Sequence, residues 1–270
     1  MTAVEIMPFL AFLTEDCDRK AYIQQFLEQN GVDSAILSLA GKNHIYVKFP
    51  QNQYDSMFKI KTVIAHYDRV EGSPGANDNS AAVFCIMNWA VRLSKMNFAH
   101  NVRIIFTDGE ELGENGIQEQ GAFELAKVYK KLGVTDDEIY VFDSMGRGNV
   151  PIICQYDLPP AMDKTFLSHL NSLENKVTRL LSSACNGRYF KLKCNYSDNA
   201  SFLVNGIPSV AVTMLPSGEV ENYVKNGEIP LTWRKFHTKD DDFLSLDSES
   251  FDLFGKILDN LAVQKTITEI

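Results

Sequence analysis

Apolar runs that alternate with helix-length segments constrain the fold of this chain more than any other feature of its sequence. The runs "TVIA", "RIIFT" and "IYVF" are apolar at almost every position, and helical patterns over residues 78–95 and 118–132 separate them. Strands that are apolar on both faces lie inside parallel sheets whose two sides are covered by helices. The pattern therefore predicts an α/β fold: a three-layer α/β/α sandwich with a central mixed, mostly parallel sheet.

The flanking segments complete this outline. "AILSL" and "HIYVKF" lie on either side of residues 41–43 and are predicted to form an antiparallel hairpin, while "VPIICQ" and "PSVAVTML" are predicted as further strands. A long polar loop is expected over residues 216–235. No break in composition marks a second domain, so a single domain over residues 1–270 is expected. The other predicted helices cover residues 15–30, 163–175, 197–206 and 247–263.

The composition limits the classes of partner. The chain of 270 residues has a net charge of −9 and no long run of lysine and arginine. Binding to nucleic acid or to an anionic membrane is therefore not expected, whereas cation binding is compatible with this charge. Glu5 stands where a secretion signal would carry a basic residue, and no apolar stretch is long enough to span a membrane, which favours a cytoplasmic location. The five cysteines are expected to be free thiols, although Cys185 and Cys194 could pair.

Polar side chains follow each of the three central strands at the point where the strand ends. Parallel strands bring their carboxyl ends to one edge of the sheet, where ligands bind in open α/β folds. Two further segments, "GANDNSAA" and "KFHTKDDD", supply an acid and a histidine. Histidine nitrogen and carboxylate oxygen together favour a divalent metal such as zinc. The candidate residues are His66, Asp68, Asp78, Glu110, Glu111, Asp143 and His237.

Taken singly, these residues have ordinary structural interpretations. His66 could be a hydrogen-bonded histidine, and Asp78 could be a helix N-cap. Asp143 could cap a turn, Asp108 followed by glycine could form one, and residues 239–242 could be a solvated loop. The joint pattern carries the metal-site hypothesis, because it brings two histidines and several carboxylates to one predicted edge.

The ordered motifs "HYD", "NDNSA", "DGEE", "FDSMG" and "FHTKDD" resemble the co-catalytic zinc aminopeptidases of the bacterial leucyl aminopeptidase type, whose relatives include glutaminyl cyclases and glutamate carboxypeptidases. The resemblance covers about residues 60–245. It implies a zinc-exopeptidase-like catalytic domain with two zinc ions per chain, other divalent metals being possible, and a peptide or amino-acid-derivative substrate. The implied reaction releases N-terminal residues through a metal-bridging water and a glutamate general base.

The resemblance also implies a role for each residue. Asp78 bridges the two ions, His66 and Asp143 complete one site, and Glu111 and His237 complete the other. Asp68 supports catalysis by orienting His66, and Glu110 is the general base. Tyr196 is a candidate donor to the substrate oxyanion, with a packed aromatic residue as the alternative.

One departure and three alternatives accompany this interpretation. Asn199 stands where the family often has a histidine after the pair matching Ser197 and Asp198. The first alternative is a one-zinc aminoacyltransferase like the glutaminyl cyclases, and a lower one is a non-catalytic binding scaffold of the same fold. A carboxypeptidase would need an arginine for the substrate carboxylate; the candidates are Arg69, Arg147 and Arg234. The sequence predicts no oligomeric state.

Overall fold

The computed structural model describes residues 3–156 and 163–268. Its strands are β1 (Asp33–Leu39), β2 (Lys42–Lys48), β3 (Lys61–His66), β4 (Val102–Thr107), β5 (Glu138–Phe142), β6 (Val150–Gln155), β7 (Phe190–Lys193) and β8 (Ser209–Leu215). Its α-helices are α1 (Ala3–Leu13), α2 (Arg19–Gln29), α3 (Ala81–Ser94), α4 (Gly121–Lys131), α5 (Lys164–Ala184), α6 (Asn199–Val204), α7 (Ser217–Asn226), α8 (Leu231–Lys235) and α9 (Ser248–Val263).

The eight strands form one mixed sheet in the order β1-β2-β4-β3-β5-β8-β6-β7. Strands β4, β3, β5 and β8 run parallel to one another in the centre. The β1–β2 hairpin adds to β4 in antiparallel fashion, and β6 is antiparallel to β8. The predicted mixed, mostly parallel sheet is therefore confirmed.

Helices cover both faces of this sheet. On one face, alternate strand residues such as Val63 and Ile104 pack in a core with α2, α3, α5 and α9. On the other face, Ile64 and Ile105 pack against α4 and α6. Neighbouring residues of one strand thus point into opposite layers, as the pleat requires. This three-layer arrangement confirms the predicted sandwich, and it fixes the carboxyl ends of β3, β4 and β5 side by side.

The main difference from the prediction lies after β8. The prediction of a loop over residues 216–235 is wrong, because α7 and α8 occupy most of this segment. Val220 of α7 packs against Leu215 and Ile152, and Trp233 of α8 lies edge-on to Tyr223 with ring centroids 5.2 Å apart. Tertiary packing therefore stabilises helices whose sequence carries glycine, asparagine and β-branched residues of low helix propensity.

The other differences concern element ends and short elements. The helix predicted from residue 78 begins at Ala81, since Asp78 and Asn79 have non-helical backbone angles. Helix α5 extends beyond the predicted residues 163–175 to Ala184. Helix α1 and strand β7 were not predicted. The five cysteines, which all lie in the described ranges, form no disulfide bond, and Cys185 and Cys194 are not joined to each other. Within the described ranges, none of the helices has both the length and the apolar character needed to span a bilayer.

Candidate metal centre

His66, Asp78 and Asp143 form the first cluster of candidate ligands, at the carboxyl ends of β3 and β5. His66 Nε2 lies 3.2 Å from Asp78 Oδ1 and 3.8 Å from Asp143 Oδ1. One potential ligand atom from each of the three residues lies within 4.8 Å of the other two. This spacing suits a single cation held between them.

Asp78, Glu111 and His237 form the second cluster, with the same 4.8 Å limit between donor atoms. His237 Nε2 lies 3.5 Å from Asp78 Oδ2 and 3.0 Å from Glu111 Oε2. Asp78 therefore belongs to both clusters and turns one carboxylate oxygen towards each histidine.

The chemistry of these side chains fits divalent metal ions. His66 is buried, and neither of its ring nitrogens makes a well-aligned hydrogen bond to the described residues, although carboxylates surround both. Burial and the neighbouring Asp78 raise the pKa of Glu111 to about 7. Like charges at this spacing disfavour one another's ionised forms, and a bound dication would favour them. The donor set of imidazole nitrogen and carboxylate oxygen is the one that zinc takes in catalytic sites.

The backbone around Asp78 is held by residues far away in sequence. Asp241 accepts hydrogen bonds from the N–H groups of Asn77 (2.8 Å) and Asp78 (3.0 Å). The side chain of Asn79 donates to the carbonyl of Phe142 and accepts from the N–H of Ser144. The peptide bond between Asp78 and Asn79 is cis. These contacts tie the loop that carries Asp78 to the end of β5.

Asp68 connects the first cluster to the glutamate pair. Its Oδ1 lies 3.4 Å from His66 Nδ1. Its two oxygens also accept hydrogen bonds from the backbone N–H groups of Glu110 (3.2 Å) and Glu111 (3.1 Å). Asp68 is thus placed to fix both the imidazole ring and the turn that follows β4.

Glu110 lies beside the first cluster with its carboxylate almost fully buried. Its Oε2 is 4.0 Å from His66 Nε2, and its Oε1 accepts a hydrogen bond from Gln120 Nε2 at 3.0 Å. Burial raises the pKa of Glu110 well above its usual range, and the nearby Asp143 raises it further. A carboxylate with a raised pKa can hold a proton near neutral pH, as a general base that later acts as an acid must.

His237 occupies the outer side of the second cluster. It has a positive φ of 60° and is partly exposed. Its Nδ1 lies 2.7 Å from Glu114 Oε1. Hydrogen bonds to Asp78 and Glu111 raise the pKa of His237 to about 11. The ring is therefore held between carboxylates on both of its nitrogens.

A cavity of about 500 Å³ opens onto both clusters. Tyr196 lies in its wall, half exposed, and stacks on Tyr156 with ring centroids 5.3 Å apart. Trp233 and Phe236 line another part of the wall, next to His237. Trp233 belongs to residues 216–235, predicted as a polar loop, so this segment contributes to the wall of the cavity.

Sequence reasoning missed four polar residues around the centre. Asp241 holds the loop that carries Asp78, and Glu114 contacts the ring of His237. Gln120 contacts Glu110, and buried Asp198 accepts a hydrogen bond from Thr107 Oγ1. Asp198 has its pKa raised to about 7 by burial. Asp198 belongs to the Ser-Asp pair of the family motif, and Asp241 lies in the acidic run "KDDD", which was considered as a solvated loop; Asp241 instead holds the backbone of the Asp78 loop.

The comparisons with known proteins agree with this fold. The solved structures that the chain is similar to include the LapA aminopeptidase of Legionella pneumophila, with 19% identity and a TM-score of 0.65; the match covers 90% of this chain and 62% of LapA. A Zn-dependent exopeptidase from Parabacteroides distasonis has 18% identity and a TM-score of 0.68, covering 97% and 96%. The glutaminyl cyclase of Porphyromonas gingivalis has 16% identity and a TM-score of 0.69, covering 95% and 96%.

At the level of sequence, no curated protein gives a significant match. The model of peptidase family M28 matches residues 45–262, which include both clusters of candidate ligands. The chain therefore belongs to peptidase family M28.

Proposed function

We propose that this chain is a zinc-dependent aminopeptidase that binds two zinc ions and releases N-terminal residues from peptides. The observation that carries the proposal is the shared position of Asp78 between two complete clusters of donors. Its two oxygens face His66 on one side and His237 on the other. Membership of peptidase family M28 supports hydrolysis of a peptide bond as the reaction.

His66, Asp78 and Asp143 would hold one zinc ion, and Asp78, Glu111 and His237 would hold the other. Bound zinc would supply Lewis acidity, which lowers the pKa of a water molecule and polarises the substrate carbonyl. Glu110 Oε2 faces this region and would take the proton of the attacking water. Glu110 would then return the proton to the leaving amine.

The charge of the cavity supports recognition of a free amino group. Asp78, Glu110, Glu111, Glu114 and Asp143 line it. Three of them would be zinc ligands, which leaves the carboxylates of Glu110 and Glu114 to attract the ammonium group of a peptide N-terminus. This arrangement favours a substrate that enters with its N-terminus towards the carboxylates.

The three arginines considered for a carboxypeptidase have other partners. Arg69 donates to the backbone carbonyls of Leu13, Thr14 and Glu15. Arg147 pairs with Glu219, and Arg234 pairs with Glu228. Among the described residues that line the cavity there is no arginine. This favours an aminopeptidase over a carboxypeptidase.

A glutaminyl cyclase is the second candidate, because the similarity to the Porphyromonas enzyme extends over nearly the whole of both chains. The cyclase alternative uses one zinc ion. The presence of two complete clusters of donors in this chain favours the two-zinc aminopeptidase. A non-catalytic scaffold is disfavoured by the same completeness.

Activity assays with metal analysis distinguish these functions. The protein is reconstituted with zinc and incubated with fluorogenic aminoacyl substrates, a peptide with N-terminal glutamine, and a peptide blocked at its N-terminus. Release of N-terminal residues is expected, without cyclisation and without cleavage of the blocked peptide. Glu110→Gln is expected to lower kcat by about 10²- to 10⁴-fold with zinc retained. Glu119→Gln, on the exposed part of the same loop, is the matched control. Cyclised glutamine as the main product, or no turnover of the whole panel with two zinc ions bound, would overturn the proposal.

A further inference from the structure

A buried chain of hydrogen bonds runs from helix α6 to the proposed general base. Ser201 Oγ donates to Gln120 Oε1 at 2.7 Å, and Gln120 Nε2 donates to Glu110 Oε1 at 3.0 Å. Ser201 is fully buried, Gln120 is 3% exposed and Glu110 is 9% exposed. Breaking either hydrogen bond would leave a buried polar group with neither a protein partner nor water, which costs free energy. The three side chains are therefore held in place.

Glu110 and Ser201, on either side of Gln120, fix the orientation of its side-chain amide. Glu110 acts as a base in its ionised form, and in that form it only accepts hydrogen bonds, so the NH₂ group of Gln120 must face it. The amide oxygen then faces α6, where the hydroxyl of Ser201 donates to it. Reversing the amide would set its oxygen against the carboxylate and would break the contact.

Gly113 supplies an independent sign that the position of Gln120 is built into the local structure. A Cβ at residue 113 would lie 2.8 Å from both Cγ and Nε2 of Gln120. The φ of Gly113 lies outside the left-handed region, so its backbone does not require glycine. The space that the missing side chain leaves is filled by Gln120.

We propose that Gln120 is a positioning residue that holds Glu110 for proton transfer, an inference that rests on the proposed role of Glu110 as general base. Anchoring of Glu110 Oε1 leaves Oε2 directed towards the first cluster, 4.0 Å from His66 Nε2. Asp68 holds the backbone of Glu110, and Gln120 holds its carboxylate. Together they fix both ends of this side chain, and catalytic groups act efficiently only when held close to their reacting geometry.

Gln120→Glu tests the contact with little change in shape. The variant keeps an acceptor for Ser201, and at a pH at which both carboxyl groups are ionised it replaces the donor that faces Glu110 by a second acceptor. We expect kcat to fall by about 10- to 100-fold, as for loss of a hydrogen bond to a charged group, with KM and zinc stoichiometry unchanged. Gln118→Glu makes the same chemical change at an exposed position on the same loop and is expected to retain wild-type kcat. An unchanged kcat in Gln120→Glu, or an equal fall in the control, would contradict the inference.

Gly113→Ala displaces Gln120 without changing its chemistry. Its effect on kcat is expected to resemble that of Gln120→Glu, and the double variant is expected to be little worse than either single one. Such non-additivity marks residues that act through one contact. Additive losses in log kcat would show that Gly113 and Gln120 act separately and would overturn this step.

Hydrogen exchange of the Gln120 side-chain amide gives a readout that does not depend on activity. Its NMR signals are identified by their absence in Gln120→Glu. Exchange with solvent is expected to be slow in the wild type and at least about 10-fold faster in Glu110→Ala, because the acceptor is removed. Exchange that is equally fast in both proteins would refute the positioning contact. If that contact is present but the wild type hydrolyses no peptide, it is the proposed function that fails.

Discussion

Asp241 holds the backbone of Asp78 across 163 residues of sequence: Asp241 Oδ2 accepts the Asp78 N–H at 3.0 Å. Asp241 Oδ1 accepts the N–H of Asn77, and the backbone carbonyl of Asp241 accepts the N–H of Ala76. The acid is fully buried. The segment that follows His237 therefore fixes the loop that carries Asp78. Because Asp78 belongs to both proposed metal sites, both sites depend on this contact.

Replacement of Asp241 by asparagine is expected to weaken zinc binding by about 10- to 100-fold, the range for groups that orient metal ligands. The amide keeps one acceptor but sets an NH₂ group against a backbone N–H. Competition with a fluorescent zinc chelator measures the effect. Asp240→Asn, at an exposed neighbour, is the control. Equal zinc affinity in wild type and Asp241→Asn would contradict the supporting role.

Glu114 is expected to orient His237 through the 2.7 Å contact with Nδ1. Metal-bound histidines usually donate their second ring N–H to such an acceptor. Glu114→Gln should weaken binding of one zinc ion by about 10-fold and leave the other unchanged. Isothermal titration calorimetry resolves the two binding events, with Glu119→Gln for comparison. Equal weakening of both events would argue against a local effect at His237.

Gly75 lies in a tight part of the loop that carries Asp78. It has a φ of +58°, and a Cβ there would lie 2.6 Å from the carbonyl oxygen of Asp78. Gly72 also has a positive φ, of +81°, but has no atom within 4 Å of its Cβ position. Both alanine variants should lose about 1 kcal/mol of the free energy of unfolding, because alanine is strained at a positive φ. Only Gly75→Ala should lose more than this, and only this variant should bind zinc more weakly. Chemical denaturation and zinc titration of the two variants measure the difference. Indistinguishable losses would show that contact with Asp78 is unimportant.

His100 is expected to make stability depend on pH at a place remote from the candidate site. Burial, together with the charge of Lys61, lowers the pKa of His100 from 6.5 to about 4. In the neutral ring, Nδ1 accepts the N–H of Val102 and Nε2 contacts Gln53 Oε1. Between pH 6.5 and 4 the unfolded chain binds a proton that the folded chain does not, so the free energy of unfolding falls as the pH is lowered.

The His100→Gln variant tests this dependence. From pH 7 to pH 4.5 it is expected to lose about 2 kcal/mol less of its free energy of unfolding than the wild type, because the proton uptake is removed. Urea denaturation at a series of pH values gives the comparison, and His169→Gln at an exposed position is the control. Parallel pH profiles for wild type and His100→Gln would show that His100 does not titrate in this window.

The fold was largely predictable, because long apolar strands such as β3 and β4 alternate with well-patterned helices. The elements that the sequence did not reveal owe their structure to packing: α7 is held by Val220 against Leu215, and β7 is a four-residue edge strand. Helix α7 carries glycine, two asparagines and β-branched residues of low helix propensity, and β7 is too short for its alternation to be recognised.

The candidate ligands were also predictable, since they are chemically distinctive side chains, and His66, Glu111 and Asp143 lie at or just after the ends of three parallel strands. Gln120 and Asp241 were not, because their importance arises from contacts over long sequence distances. A buried glutamine that contacts a glutamate ten residues away has the same local sequence as a solvated one. Its role became visible only with the position of Ser201 behind it.

Counting zinc tests the central claim most directly. The wild-type protein is saturated with zinc, freed of excess metal and analysed by inductively coupled plasma mass spectrometry, alongside His66→Ala and His237→Ala. Two zinc ions per chain are expected for the wild type and about one for each variant, because each histidine belongs to a different cluster. One zinc ion or none in the folded wild type, or two retained in both variants, would contradict the account.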